Sequence, residues 1–148
     1  MLAPTPDQYQ RLNEMAQAWS RCQAVMLEAS PGRNPHLEVD ALCFQACSEG
    51  GVESAGRDYL IGALISPVSL SLVLFPVFGS AAAPVEGERR AFELPSGRYP
   101  FVAEVLEEGL WLWRCELLGD LSDLESREEG SRLAQRLMDK VMSPEQAG

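Results

Sequence analysis

The chain has 148 residues, the size of one ordinary domain, and its 12 basic and 22 acidic side chains give a formal charge of -10. This charge repels phosphate backbones and anionic lipid surfaces, so it argues against nucleic-acid binding and favours a basic partner. The first 15 residues have neither a basic n-region nor an apolar h-region. This predicts no secretory signal, a cytoplasmic location and reduced thiols.

The N-terminal third predicts a helix, a turn-rich loop and a first strand. We expect residues 1–6, which include two prolines, to be disordered, as are residues 144–148 at the other end. A helix capped by Asp7 or Thr5 is predicted next, because apolar residues recur at spacings of three and four. These residues are Leu12, Met15, Ala16, Trp19, Cys22 and Met26. Residues 30–35 form a predicted loop before the strand, and residues 48–56 a predicted hairpin loop after it.

Residues 59–78 are the most apolar part of the chain and are long enough for a membrane-spanning helix. Pro67 lies at their centre, where it would break such a helix, and the apolar residues alternate with the two-residue period of a strand. We therefore predict two antiparallel core strands, Tyr59–Ile65 and Ser69–Pro76. Ser66-Pro67-Val68 is the predicted turn between them.

The rest of the chain predicts a surface loop over residues 79–90, an edge strand or helical turn near 92–94, and strands at 99–106 and 110–117. A charged amphipathic helix follows and stops before Pro144. Trp111 and Trp113 share one face of the last strand, and we expect them to cover the core against the first helix.

These elements predict a single α+β domain over residues 1–148. We expect an antiparallel sheet of about five strands with the N- and C-terminal helices packed on one face, in two layers. The second face of the sheet must then be covered by a loop, a second copy or a client.

Few residues of the chain are candidates for catalysis or metal binding. His36 is the sole histidine, and the four cysteines, Cys22, Cys43, Cys47 and Cys115, lack the paired spacing of a structural zinc site. The nucleotide-binding and metalloprotease motifs are missing. We therefore expect no enzyme activity, no metal site and no cofactor.

Five short segments of the chain occur in the same order as the motifs of a known protein family. They are Asn34-Pro35-His36-Leu37, Leu60 to Pro67, Leu70 to Pro76, Leu94-Pro95-Ser96-Gly97, and Cys115-Glu116-Leu117-Leu118. In that order they resemble the N-P-x-L, L-G-x-L-I-T-P, N-L-x-L-L-P, P-S/A-G and C-S-L-F-S-P-M motifs of the HybE/HupJ family of [NiFe]-hydrogenase assembly chaperones. The resemblance covers about Asn34 to Ala134.

The chain also departs from these motifs at three places. Ser71 stands where the family usually has asparagine, Val68 stands where a tryptophan commonly follows the T-P pair, and Gly119-Asp120-Leu121 replaces the S-P-M ending. If the last two positions contact the client, they imply a different client or altered specificity.

The resemblance implies a cytoplasmic, non-catalytic chaperone that binds the precursors of the hydrogenase large and small subunits. It also implies that the chaperone holds back the twin-arginine signal of the small subunit until cofactors are in place. We expect partner binding at Ser66, Pro67, Val68, Trp111, Trp113, Cys115, Leu117 and Leu118, without membrane insertion. Two alternatives remain open: a small acidic secretion-type chaperone, normally a dimer, and a cysteine-based metal-delivery protein.

Overall fold

The computed structural model describes residues 4–47, 59–76, 83–107 and 109–143 of the chain. Its elements are α1 (Pro6–Cys22), α2 (Ala24–Ala29), β1 (Asp40–Cys47), β2 (Tyr59–Ile65), β3 (Leu70–Pro76), β4 (Arg89–Leu94), β5 (Gly97–Val105), β6 (Trp111–Leu118) and α3 (Arg127–Val141). The six strands form one sheet in the order β1-β2-β3-β6-β5-β4, and every neighbouring pair is antiparallel. The α+β class is confirmed, with six strands where about five were expected. The predicted hairpin loop at 48–56 and the chain ends 1–3 and 144–148 lie outside the described residues.

The sheet is strongly curled. The rings of Tyr59 in β2 and Phe92 in β4 have centroids 6.4 Å apart, although three strands lie between β2 and β4. In a flat sheet four strand spacings would separate these residues by about 19 Å. The sheet therefore has a concave face, which carries both rings, and a convex face.

The two long helices pack on opposite faces of this sheet. On the convex face, Met15 and Trp19 of α1 pack in one buried cluster with Leu60 of β2. On the concave face, Met138 of α3 packs in a second buried cluster with Ile61. Successive strand residues point to opposite faces, so the expectation of two layers with both helices on one face is wrong. Because β2 and β3 are apolar and buried on both sides, each face of these strands needs a cover.

Local chemistry fixes where α1 begins. The Thr5 side chain accepts a hydrogen bond from the Gln8 backbone N–H at 3.2 Å, and the Gln8 side chain accepts one from the Thr5 N–H at 2.9 Å. This reciprocal capping box satisfies two donors at the helix start. Residues 4–6, part of the segment expected to be disordered, therefore form the entry to α1.

One glycine marks a close approach between β1 and β2. A Cβ atom on Gly62 would lie 2.3 Å from Cδ1 of Phe44 and 2.8 Å from its Cα. The Phe44 side chain thus lies directly against Gly62, where any larger residue would collide with it.

The two tryptophans of β6 are buried on the concave face. The Trp111 ring lies 6.4 Å from the Tyr59 ring, and the Trp113 ring lies 5.4 Å from the Phe92 ring. The expectation that they cover the core against α1 is wrong, since α1 packs on the convex face. The physical reason is the curl of the sheet, which brings β2, β4 and β6 together around these rings.

Candidate partner-binding site

A buried asparagine lies at the end of the sheet where β2 and β6 finish. Asn34 is 3 % exposed, and its backbone N–H donates to the Pro67 carbonyl at 2.8 Å. Its side-chain amide donates to the carbonyls of Leu121 at 2.8 Å and Leu124 at 2.7 Å. Its side-chain oxygen accepts from the His36 N–H at 2.8 Å. One residue therefore joins three loops: 34–37, the β2–β3 turn, and 119–126.

The sequence explains why Asn34 adopts this position. The following proline disfavours a helical conformation at residue 34 and directs the chain into an extended path. Asparagine offers two donors and one acceptor on a short side chain, so it can satisfy backbone groups of several loops at once. A buried polar group of this kind is stable when its hydrogen bonds are made, as they are here.

The β2–β3 turn is held by its own serine. Ser66 is 1 % exposed, and its hydroxyl accepts from the backbone N–H groups of Val68 at 3.2 Å and Ser69 at 3.0 Å. The Ser66 N–H in turn donates to the Ser69 carbonyl at 2.9 Å. These bonds fix the turn and leave Pro67 and Val68 half-buried at its tip.

The end of β6 lies beside this turn. Leu118 pairs with Leu70, only two residues after Val68, and the register shifts between Leu70 and Ser71. Leu117 and Leu118 are half-buried and pack partly against the concave cluster. We call the surface formed by Pro67, Val68, Leu117 and Leu118 the apolar rim.

The residues predicted for partner binding thus fall into two groups. The four of the apolar rim lie at one end of the sheet and are partly accessible. Trp111 and Trp113 are 6 % and 3 % exposed, and Trp111 lies seven residues before Leu118, about 23 Å along an extended strand. Their burial in the concave core leaves little surface to offer a partner.

The two remaining predicted residues are also buried. Ser66 shapes the turn, as described above, and Cys115 is 8 % exposed in the centre of β6, opposite Leu72. Burial raises the pKa of the Cys115 thiol, and the neighbouring Arg114 opposes this shift. Cys115 is therefore a small core residue in the described structure.

Carboxylates border the apolar rim. Asp120 and Asp123 are exposed in the loop that follows β6, and residues 117–126 include no lysine or arginine. The Asp120 carboxylate accepts a hydrogen bond from the Ser122 N–H at 2.9 Å, which lowers the pKa of that carboxyl. The site thus combines partly accessible apolar side chains with exposed negative charge.

Sequence reasoning missed the organising residue of this site. The motif resemblance places Asn34 in an N-P-x-L segment, but its contacts with Leu121 and Leu124 join positions 87 and 90 residues away. The available signal was the asparagine immediately before a proline at the entry to a strand.

In residues 4–47, 59–76, 83–107 and 109–143, no group of three or more histidine, cysteine, aspartate or glutamate side chains could hold a metal ion. Among the same residues, no helix is long and apolar enough to cross a membrane.

Comparison with known proteins indicates the same family as the sequence motifs. The family model described as "[NiFe]-hydrogenase assembly, chaperone, HybE" matches residues 10–148. The solution structure of HybE from Escherichia coli is similar in fold, with a TM-score of 0.64 and 21 % identity, covering 88 % of this chain and 76 % of that one. No curated protein matches the chain. The match over nearly the whole chain shows that this protein belongs to the HybE family of [NiFe]-hydrogenase assembly chaperones.

Proposed function

We propose that this chain is a non-catalytic, cytoplasmic chaperone that binds the precursors of the [NiFe]-hydrogenase large and small subunits through the apolar rim. One observation carries the proposal: two segments that resemble family motifs meet at Asn34 with the loop that directly follows a third such segment. The N-P-x-L loop, the turn at Pro67 and the loop after β6 are joined there by hydrogen bonds of 2.7 to 2.8 Å. Since these segments come from distant parts of the chain, their meeting at one end of the sheet favours a shared role in binding.

The chemistry of the rim suits the twin-arginine signal of a small-subunit precursor. Such a signal combines basic residues with an apolar stretch. Pro67, Val68, Leu117 and Leu118 offer the apolar contact, and Asp120 and Asp123 offer the negative charge. We infer that the chaperone covers this signal until the cofactors are in place, and so delays export.

Two departures from the family motifs lie in this surface. Val68 is half-buried at the tip of the turn, where the family commonly has a tryptophan, and Gly119 and Asp120 are exposed beyond β6. A smaller apolar side chain and an added carboxylate change both the shape and the charge offered to a client. We infer that this chain is selective for a client different from that of relatives with the usual residues.

Co-expression with hydrogenase precursors tests the proposal. The tagged chain should capture the large-subunit and small-subunit precursors but not mature hydrogenase. Removing the leader from the small subunit should reduce its capture if the signal occupies the site. Failure to capture either precursor would contradict the proposal and favour a secretion-type chaperone. Stoichiometric zinc or nickel, lost on changing Cys43 and Cys47, would favour metal delivery.

A further inference from the structure

Strand β1 lies at the end of the sheet, and its outer edge pairs with no other described strand. Both long helices flank it, since α1 packs beside it on the convex face and α3 on the concave face. The backbone of an edge strand offers unpaired donors and acceptors along its length.

A groove runs along each side of this edge. The helix-one groove has a volume of about 250 Å³ and lies between Tyr9 and Asn13 of α1 and Asp40 and Phe44 of β1. The helix-three groove also has a volume of about 250 Å³. It lies between Met138 and Asp139 of α3 and Gln45 of β1.

Cys43 lines both grooves, because the backbone of β1 is irregular at this point. Its φ of +60° lies in the left-handed region, and the register with β2 shifts between Leu42 and Gln45. A bulge of this kind bends an edge strand and redirects its side chains. A strand added to this edge must therefore bend at Cys43, with a short straight stretch on either side of it.

The charge of the two grooves indicates what kind of segment they can bind. Asp40 and Asp139 line them, and no described lining residue is a lysine or arginine. The floors are apolar, with Leu12 and Phe44 in one groove and Met138 in the other. Pairing with a second copy would bring these carboxylates together between two chains that each carry a charge of -10, which disfavours that occupant.

We propose that the outer edge of β1 binds an extended basic peptide segment as an added strand, with its side chains directed alternately into the two grooves. Alternate residues of a strand point to opposite faces, so one set would enter the helix-one groove and the other the helix-three groove. The inference rests on the proposed function, because it names the kind of precursor segment that is bound. Asp40 pairs with Ile65, next to the β2–β3 turn, so a strand bound here ends close to the apolar rim.

A peptide titration followed by NMR tests this inference on the intact chain. The probe is a synthetic peptide of about ten residues that alternates arginine and leucine, long enough to span a strand of eight residues. We expect shift changes at the backbone amides of β1 and at the groove-lining residues of α1 and α3. We also expect slower hydrogen exchange at β1. No shift change with this probe, or changes confined to other elements, would overturn the proposal.

Two matched peptides separate strand pairing from attraction between charges. Replacing arginine by glutamate should abolish binding, because the grooves carry only negative charge. N-methylation of alternate backbone amides keeps the charge but removes hydrogen-bond donors, and should weaken binding by about tenfold or more. Equal affinity for the N-methylated peptide would show that the edge does not pair with it.

Double variants locate the binding surface. Asp40→Asn with Asp139→Asn should weaken peptide binding by about tenfold or more, while Glu28→Gln with Glu93→Gln, at two exposed carboxylates outside both proposed surfaces, should leave it unchanged. Unchanged binding by the Asp40 and Asp139 variant, with a loss for Asp120→Asn with Asp123→Asn instead, would place the peptide at the apolar rim; this would overturn the inference and leave the proposed function standing. Co-expression capture tests the proposed function and the peptide titration tests binding at β1. Because the two experiments are independent, failure of one proposal can be distinguished from failure of the other.

Discussion

Replacing Asn34 by alanine should be costly, because its side chain makes three hydrogen bonds in a site that is 3 % exposed. The substitution removes two donors, at 2.8 and 2.7 Å from the Leu121 and Leu124 carbonyls, and the acceptor of the His36 N–H at 2.8 Å. At about 1 kcal/mol for each bond, Asn34→Ala should lower the free energy of unfolding by about 3 kcal/mol. Water can reach part of the Leu124 and His36 groups, so the unpaired Leu121 carbonyl carries much of this cost.

Urea unfolding followed by tryptophan fluorescence measures this loss. Asn13→Ala is the matched control, since Asn13 is exposed on α1 and alanine has the higher helix propensity. This control should change the free energy of unfolding by no more than about 0.5 kcal/mol. Asn34→Asp should be at least as harmful as alanine near neutral pH, because a carboxylate cannot donate to the two carbonyls. A loss of under about 1 kcal/mol for Asn34→Ala would refute the assignment of Asn34 as the residue that joins the three loops.

Two further predictions concern packing and thiol chemistry. Gly62→Ala should lower the free energy of unfolding by about 3 kcal/mol or more in thermal or urea unfolding, because its Cβ would lie 2.8 Å from a backbone atom that cannot rotate away. Gly32→Ala, which meets nothing within 4 Å, should be nearly neutral, and equal effects would contradict the close approach of β1 to β2. Burial raises the pKa of the Cys43 and Cys115 thiols, so iodoacetamide near pH 8 should alkylate the exposed Cys22 before Cys43 and Cys115, as read by peptide mass spectrometry. Because the folded pKa of each lies above its unfolded value, the stability that these thiols contribute is full below about pH 8.5 and is lost as pH rises beyond it. An unfolding midpoint that stays constant from about pH 8 to pH 10 would contradict this.

Much of the sheet could be predicted from the alternation of apolar residues. The predicted strand Tyr59–Ile65 has the observed bounds, and the predicted Ser69–Pro76 differs from the observed Leu70–Pro76 by one residue. Periodicity of two shows that successive residues point to opposite faces, and proline marks the turn between the strands. These are local properties, so they can be read from the sequence alone.

The placement of helices could not be predicted in the same way. The apolar stripe of α1 shows which side of the helix is buried, but it does not show which face of the sheet receives it. The curl that brings Tyr59 within 6.4 Å of Phe92 depends on the pairing of strands far apart in sequence. Without the curl, Trp111 and Trp113 could be read either as core residues or as anchors for a partner.

The candidate site could be predicted only in part, because it also depends on contacts between distant parts of the chain. Pro67, Val68, Leu117 and Leu118 were recognised through motif resemblance, and the structure brings them to one end of the sheet. The hydrogen bonds that organise this end cross 87 and 90 residues of sequence. Bonds at such separations leave no periodic pattern, so the role of Asn34 emerges only from the folded chain.

The most direct test of the proposed function is to change the apolar rim and measure capture of the small-subunit precursor in co-expression. Val68→Asp and Leu118→Asp place a carboxylate on half-buried rim residues, whereas Val25→Asp places one on an exposed valine of α2. Circular dichroism and the unfolding midpoint verify that all three variants are folded. We predict that the wild type and Val25→Asp capture the precursor and that both rim variants lose it. Capture by folded rim variants at the wild-type level would contradict the assignment of the apolar rim as the binding surface.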